Sequence, residues 1–115
     1  MRKDMTNKYL NNPTVGEILK TEFIDEISIS QNALAKAIMV PANRIHEIVR
    51  NRRSITADTD LRLCKFFGLS EGYFLRLQSS YEIMQAKRLL EKDIEKISPY
   101  SYAPSTSNMI NTIRL

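Results

Sequence analysis

Between Gln31 and Arg53 the chain carries two short apolar stripes of helical period, separated only by Met39, Val40 and Pro41. Leu34, Ala35 and Ile38 make the first stripe, and Ile45, Ile48 and Val49 the second. So short a link leaves room for a tight turn alone, and two helices joined that way cross at once and share a core. Ser30 suits the N-cap of the first helix, and the small Ala33 and Ala37 would let a neighbour come close. Pro41 suits the first turn of the second helix, where its missing N–H goes unused. At about 100° per residue, the side opposite Ile45, Ile48 and Val49 holds Asn43, Glu47 and Arg50, flanked by Arg44 and His46. Directly after it come Asn51, Arg52 and Arg53. Such a helix has the shape and chemistry to lie in the major groove of DNA.

The rest of the chain reads as helix as well. A helix can begin at residues 12–14, with Val15, Ile18, Leu19 and Phe23 facing a core. Thr56 can cap a fourth helix, aided by Asp58 in its first turn, with Leu61, Cys64 and Phe67 inward and Gly68 as its stop. Ser70 is a simple cap for a fifth helix carrying Phe74, Leu77 and Tyr81, with nothing to break it before about Ile97. Over its second half Ile83, Lys87, Leu90, Ile94 and Ile97 step by four and three, a narrow seam like that of a coiled coil. No β-alternation competes, so the fold class is all-α. The expected organisation is a flexible arm over residues 1–11, a DNA-binding domain over 12–80, a helical extension over 81–97 and a mobile tail over 98–115.

Composition excludes several classes. A chain of 115 residues fits one domain. No apolar run approaches the roughly 20 residues that cross a bilayer, and the first residues lack a secretory pattern, so no membrane partner is expected. The single cysteine, Cys64, rules out an internal disulfide and points to a reducing, cytoplasmic setting. The net charge is +4, but residues 42–53 alone hold four Arg and one Glu, a local +3. The excess therefore sits where a groove reader needs it.

An enzyme needs a constellation, and the chain offers none. The lone histidine, His46, starts a stretch resembling a zincin helix but has Arg50 where a second His would stand, so no metal or cofactor is expected. Gly16, Gly68 and Gly72 are too scattered for a phosphate-binding loop. Cys64 lies on an apolar face, where a buried structural thiol is the simpler role than a nucleophile. The expectation is a binding protein without catalytic residues.

Several blocks resemble the HigA antitoxins, a group within the Cro/C1-type (XRE, lambda-repressor-like) helix-turn-helix proteins that includes those called virulence-associated protein I. They are residues 13–20 (PTVGEILK), 30–41 (SQNALAKAIMVP), 44–49 (RIHEIV), 55–63 (ITADTDLRL) and 67–78 (FGLSEGYFLRLQ). The likeness spans about residues 12–85. It implies a five-helix DNA-binding domain with a long C-terminal helix, acting as a type II antitoxin. Such a protein represses its own operon as a homodimer on a palindromic operator and neutralises a HigB-like mRNA-cleaving toxin. Position by position, Ala42, Asn43, Arg44 and Glu47 would read bases. Gln31, Arg50, Asn51, Arg52 and Arg53 would hold phosphates, with Ser30 and His46 flanking. Asn suits adenine, Arg guanine, and Glu the cytosine amine, whereas phosphate contacts set register only. For Glu47 a salt bridge ordering the basic loop carries nearly equal weight. Tyr81, Ile83, Met84, Leu90 and Ile94 are the candidate dimer surface, with a core role as reasonable for the first three.

Two departures stand out. Many relatives have Gly at the positions of Met39 and Asn51; if positive φ is required, Met39 costs about 1–2 kcal/mol relative to Gly, and Asn51 less. Two other functions remain compatible with the residues: a phage-type or chromosomal repressor without a toxin partner, and a protein-interaction module whose outer helix meets a protein.

Overall fold

Thr14 opens the first helix with a capping box. Its Oγ1 accepts from the Glu17 amide at 3.1 Å, and its own amide donates to Glu17 Oε1 at 2.9 Å. In the computed structural model, which describes residues 12–101, this box starts α1 (Val15–Ile18), continued by the π-helical stretch Leu19–Ile24. The wider turn brings Leu19 and Ile24 fully inside and leaves Phe23 half-buried, an inward set that a uniform α-helical period does not produce. The expected arm at residues 1–11 and most of the expected tail, residues 102–115, lie outside the described residues.

Four more helices follow: α2 (Gln31–Ala37), α3 (Ala42–Val49), α4 (Ala57–Phe67) and α5 (Tyr73–Glu95). The all-α expectation and the helix order hold. Ser30 Oγ caps α2 through the Ala33 amide at 2.9 Å. Leu34, Ala35 and Ile38 are buried, but Ala33 and Ala37 are exposed, so among the described residues no neighbour covers them. Pro41 is the N-cap of α3 and not its first helical residue, because its extended ψ of 143° carries the chain out of the preceding turn.

The turns share one design. Val40 N donates to Ala35 O at 3.0 Å, Arg52 N to Glu47 O at 2.7 Å, and Leu69 N to Cys64 O at 2.9 Å. These six-residue closures end α2, α3 and α4 around left-handed residues at Met39 (φ 62°), Asn51 (φ 62°) and Gly68 (φ 71°). The closure at Met39 forces positive φ on a residue with a full side chain, and that side chain remains 79% exposed.

α4 is rotated relative to the sequence expectation. Leu63 and Cys64 are buried with Thr59 and Asp60, whereas Leu61 is 48% exposed. Asp60 explains the rotation. Its Oδ2 accepts from the Gly72 amide at 2.7 Å, and its Oδ1 from the Phe74 and Leu75 amides at 2.9 and 3.2 Å. A side chain of α4 thus caps α5, so Ser70 is not the cap, and Gly72 (φ 91°) stands at the N-cap position without a side chain. Ser70 contributes only its carbonyl, which accepts from the Tyr73 amide at 3.2 Å.

The centre is filled by Leu19, Ile24, Leu34, Ile45, Ile48, Leu63 and Phe74, each at most 2% exposed. Phe23 packs edge-on against Phe74 (centroids 5.2 Å) and at a tilt against Phe67 (5.0 Å), locking the π-helical stretch onto α4 and α5. Beyond residue 81, α5 is exposed along nearly its whole length and ends at Glu95, two residues before the expected Ile97.

Candidate nucleic-acid interface

Ile45 and Ile48 are buried and Val49 packs on the core, so they fix which way α3 faces. Behind α3 lies α1: a Cβ on Gly16 would run into the Ile48 carbonyl, with Val49 O 3.1 Å away. Gly16 therefore sets how deeply α3 seats, a role its sequence position did not signal. Asn43 and Arg50 are exposed on the outer edge, while Ala42, Arg44, His46 and Glu47 are half-buried along it. Gln31 is the first residue of α2, beside Ser30 at its cap. Asn51, Arg52 and Arg53 are exposed in the loop after α3. The predicted site residues therefore lie on α3, its following loop and the start of α2.

The loop is anchored where it re-enters the core. Ile55 is 3% exposed, and the side-chain amide of Gln78 on α5 satisfies both of its backbone groups. Ile55 N donates to Gln78 Oε1 at 2.7 Å, and Gln78 Nε2 donates to Ile55 O at 3.0 Å. The sequence analysis missed this clamp; a lone amide on a predicted helix gives no sign of a partner 23 residues away.

The charged groups are largely paired with each other. Glu47 Oε1 meets Arg53 Nε at 2.8 Å and Nη2 at 2.7 Å, while Glu47 Oε2 accepts from Asn43 Nδ2 at 3.0 Å. Of the two roles considered for Glu47, the ion pair that orders the basic loop is present in the fold. Arg44 turns toward α4, where its Nη1 lies 2.6 Å from Asp58 Oδ2 and 3.4 Å from Thr59 Oγ1. Asp58 also takes Arg62 Nε, at 3.2 and 3.1 Å to its two oxygens. Arg62 Nη1 in turn donates to the Ile38 and Met39 carbonyls at 2.9 and 3.4 Å, bracing the left-handed turn. The Arg44 guanidinium, and next Arg62, hold the Asp58 carboxyl below the usual carboxylate range. Among the described residues, Arg50 and Arg52 make no ion pair, and no cluster of three His, Cys, Asp or Glu could hold a metal.

The proposed dimer residues divide. Ile83, Met84, Leu90 and Ile94 are exposed on α5 at 59%, 36%, 43% and 53%. Tyr81 is half-buried, its carbonyl accepting from Asn12 Nδ2 at 3.3 Å and its hydroxyl from Gln85 at 3.2 Å. No helix of the described residues is long and apolar enough to cross a membrane.

A helix-turn-helix family model matches residues 22–74, from the π-helical stretch to the start of α5. Virulence-associated protein I of Dichelobacter nodosus is 45% identical over 73 residues, 64% of this chain and 68% of that protein. Among solved structures, an addiction module antidote protein of a HigA family from Coxiella burnetii shares 44% identity at a TM-score of 0.70, covering 76% of this chain and 97% of that one. The Pseudomonas aeruginosa antitoxin HigA, solved with the higBA promoter, shares 40% identity at a TM-score of 0.69, covering 76% and 96%. By these matches and the architecture that carries them, the chain belongs to the HigA antitoxin family of helix-turn-helix proteins.

Proposed function

We propose that this protein is a cytoplasmic, operator-binding antitoxin that represses its own operon as a homodimer and neutralises a HigB-like mRNA-cleaving toxin. The observation that carries the DNA-binding part is the outer edge of α3: Asn43 is exposed there, and Arg50 and Arg52, which make no ion pair among the described residues, lie at its C-terminal end. Asn43, with Ala42, Arg44 and Glu47 around it, is assigned to base edges, and Gln31, Arg50, Asn51, Arg52 and Arg53 to phosphates. Non-catalytic binding is the whole of the assigned activity.

Dimerisation is assigned to α5. Its second half stands away from the core with Ile83, Leu90 and Ile94 on one narrow seam. An isolated helical segment of this length is marginal in water, so a covering partner stabilises it. A symmetric pair would carry two α3 helices about 34 Å apart, matching successive turns of a palindrome.

The test is a footprint of the purified protein on the DNA upstream of its own gene, repeated across salt. Protection of two half-sites one helical turn apart is expected. Replacing Arg50 and Arg52 with Ala should flatten the slope of log affinity against log salt by about 3.6 for a dimer, from four lost phosphate contacts. An unchanged slope, or no footprint, refutes the assignment. Growth rescue on co-expression with a HigB-like mRNA-cleaving ribonuclease tests the toxin-neutralising part.

A further inference from the structure

The loop of residues 51–54 lies over an open cleft whose other wall includes Thr14, Gln78, Tyr81 and Glu82. All four loop residues are exposed, so the path of the loop depends on hydrogen bonds more than on packing. At one end Arg52 N donates to Glu47 O at 2.7 Å. At the other, the Gln78 side-chain amide takes both backbone groups of Ile55, at 2.7 and 3.0 Å. Among the described residues, no other hydrogen bond ties the backbone of Arg53 or Ser54 between these anchors. The two arginines of this span differ. Arg53 is aimed through its side chain, by the ion pair with Glu47. Arg52 makes no ion pair among the described residues, so its backbone decides where it points. The clamp is stiff enough to set that backbone. Gln78 stands one turn after Phe74, whose amide the buried Asp60 holds at 2.9 Å. Ile55, on the other side of the clamp, is 3% exposed. Its N–H needs an acceptor and its carbonyl a donor, and a primary amide supplies the two side by side.

We infer that Gln78 is a positioning residue for DNA binding: from α5 it fixes the loop backbone that aims Arg52. This deepens the operator-binding function proposed above and rests on it. A cation carried on a fixed backbone loses less freedom on meeting a phosphate than one carried on a wandering loop. Phosphate contact reads no sequence, so the gain from Gln78 is the same on every duplex.

The test compares wild type with Gln78→Met, which keeps the length of the side chain and removes both of its hydrogen-bonding groups. Affinity is measured at low salt on two duplexes, one covering the DNA upstream of the gene and one scrambled with equal composition. Circular dichroism verifies that each variant is folded under the assay conditions. Gln78→Met is expected to bind both duplexes about 10-fold more weakly, leaving their ratio unchanged. In an Arg52→Ala background the same substitution should cost about 2-fold or less, because the side chain it aims is already gone. A general loosening of the fold would cost as much in that background as in wild type. Should Gln78→Met fail to fold, Gln78→Asn takes its place: it keeps the amide but falls one methylene short of Ile55, and the same comparisons decide. Undiminished affinity, an equal loss in the Arg52→Ala background, or a loss confined to the upstream duplex overturns the inference while leaving operator binding intact. No binding by wild type to either duplex overturns both this inference and the proposed function.

Discussion

Replacing Asp60 with Ala should destabilise the fold by about 3–5 kcal/mol, although it removes no apolar side chain from the core. The figure follows from the three amides that Asp60 accepts. Asp60 is 1% exposed and takes Gly72 N at 2.7 Å, Phe74 N at 2.9 Å and Leu75 N at 3.2 Å. A hydrogen bond to a charged acceptor contributes about 1.5–3 kcal/mol, and a buried donor left unsatisfied costs about 1–3 kcal/mol. The Phe74 contact is buried and its amide is stranded, whereas the Gly72 and Leu75 contacts are only partly buried and regain water in part. Losses at neighbouring groups are not additive, so the total falls below the simple sum. Against a whole-domain stability of about 5–15 kcal/mol, such a loss brings the protein near the edge of folding. Asp60→Asn retains one acceptor oxygen but turns an NH₂ toward an amide, and should cost about 2–3 kcal/mol. Urea unfolding followed by far-ultraviolet circular dichroism measures both, at one fixed protein concentration because dimerisation adds to apparent stability. Asp58→Ala, two residues earlier on an exposed face, is the control and should leave the unfolding midpoint nearly unchanged. If Asp60→Ala costs less than 1 kcal/mol, α5 is not held by this carboxylate.

Two further substitutions test backbone geometry. Gly16→Ala ordinarily strengthens a helix by up to about 1 kcal/mol; here the new Cβ meets the Ile48 carbonyl, which cannot rotate aside. A net loss of about 1–3 kcal/mol is expected in urea melts, and a gain would show that α1 does not seat against α3 so closely. Met39→Gly relieves the left-handed strain at φ 62°. After the greater freedom of Gly in the unfolded chain is subtracted, about 0.5–1 kcal/mol of stabilisation should remain, raising Tm by about 3–5 °C. An unchanged or lower Tm would mean that the turn is not left-handed in solution.

What the sequence disclosed, and what it withheld, divides along a physical line. Features written within a few residues were legible: the Ser30 and Thr56 caps, the inward Leu34, Ile45 and Ile48, and the stop at Gly68. Even the cost of Met39 was foreseeable, since a six-residue helix closure needs a left-handed residue there. Features that join distant segments were not. Leu61 was expected inside because apolar side chains set the period, but a buried carboxylate, Asp60, dictates how α4 is turned. Its reason lies twelve residues on, in the amides that open α5. Likewise Ser70 has the chemistry of a cap, but the cap comes from another helix. Gly16 looked like one scattered glycine, since nothing local marks a close backbone contact with α3.

The charge of the interface shows the same division at work in function. By count, residues 42–53 carry a local +3, which suggests a uniformly positive helix. In the fold, Glu47 takes Arg53, and Asp58, from outside that stretch, takes Arg44. Among the described residues, Arg50 and Arg52 are the arginines of this stretch without an ion pair, at the C-terminal end of α3, where the helix dipole itself favours cations. The N-terminal half presents Ala42 and Asn43 with little free charge beside them. For an operator-binding protein this separates attraction from recognition. Under the proposed assignment, phosphate contact, which every sequence offers, draws on one end of the helix, and base contact draws on Asn43, Arg44 and Glu47, which already hold internal partners.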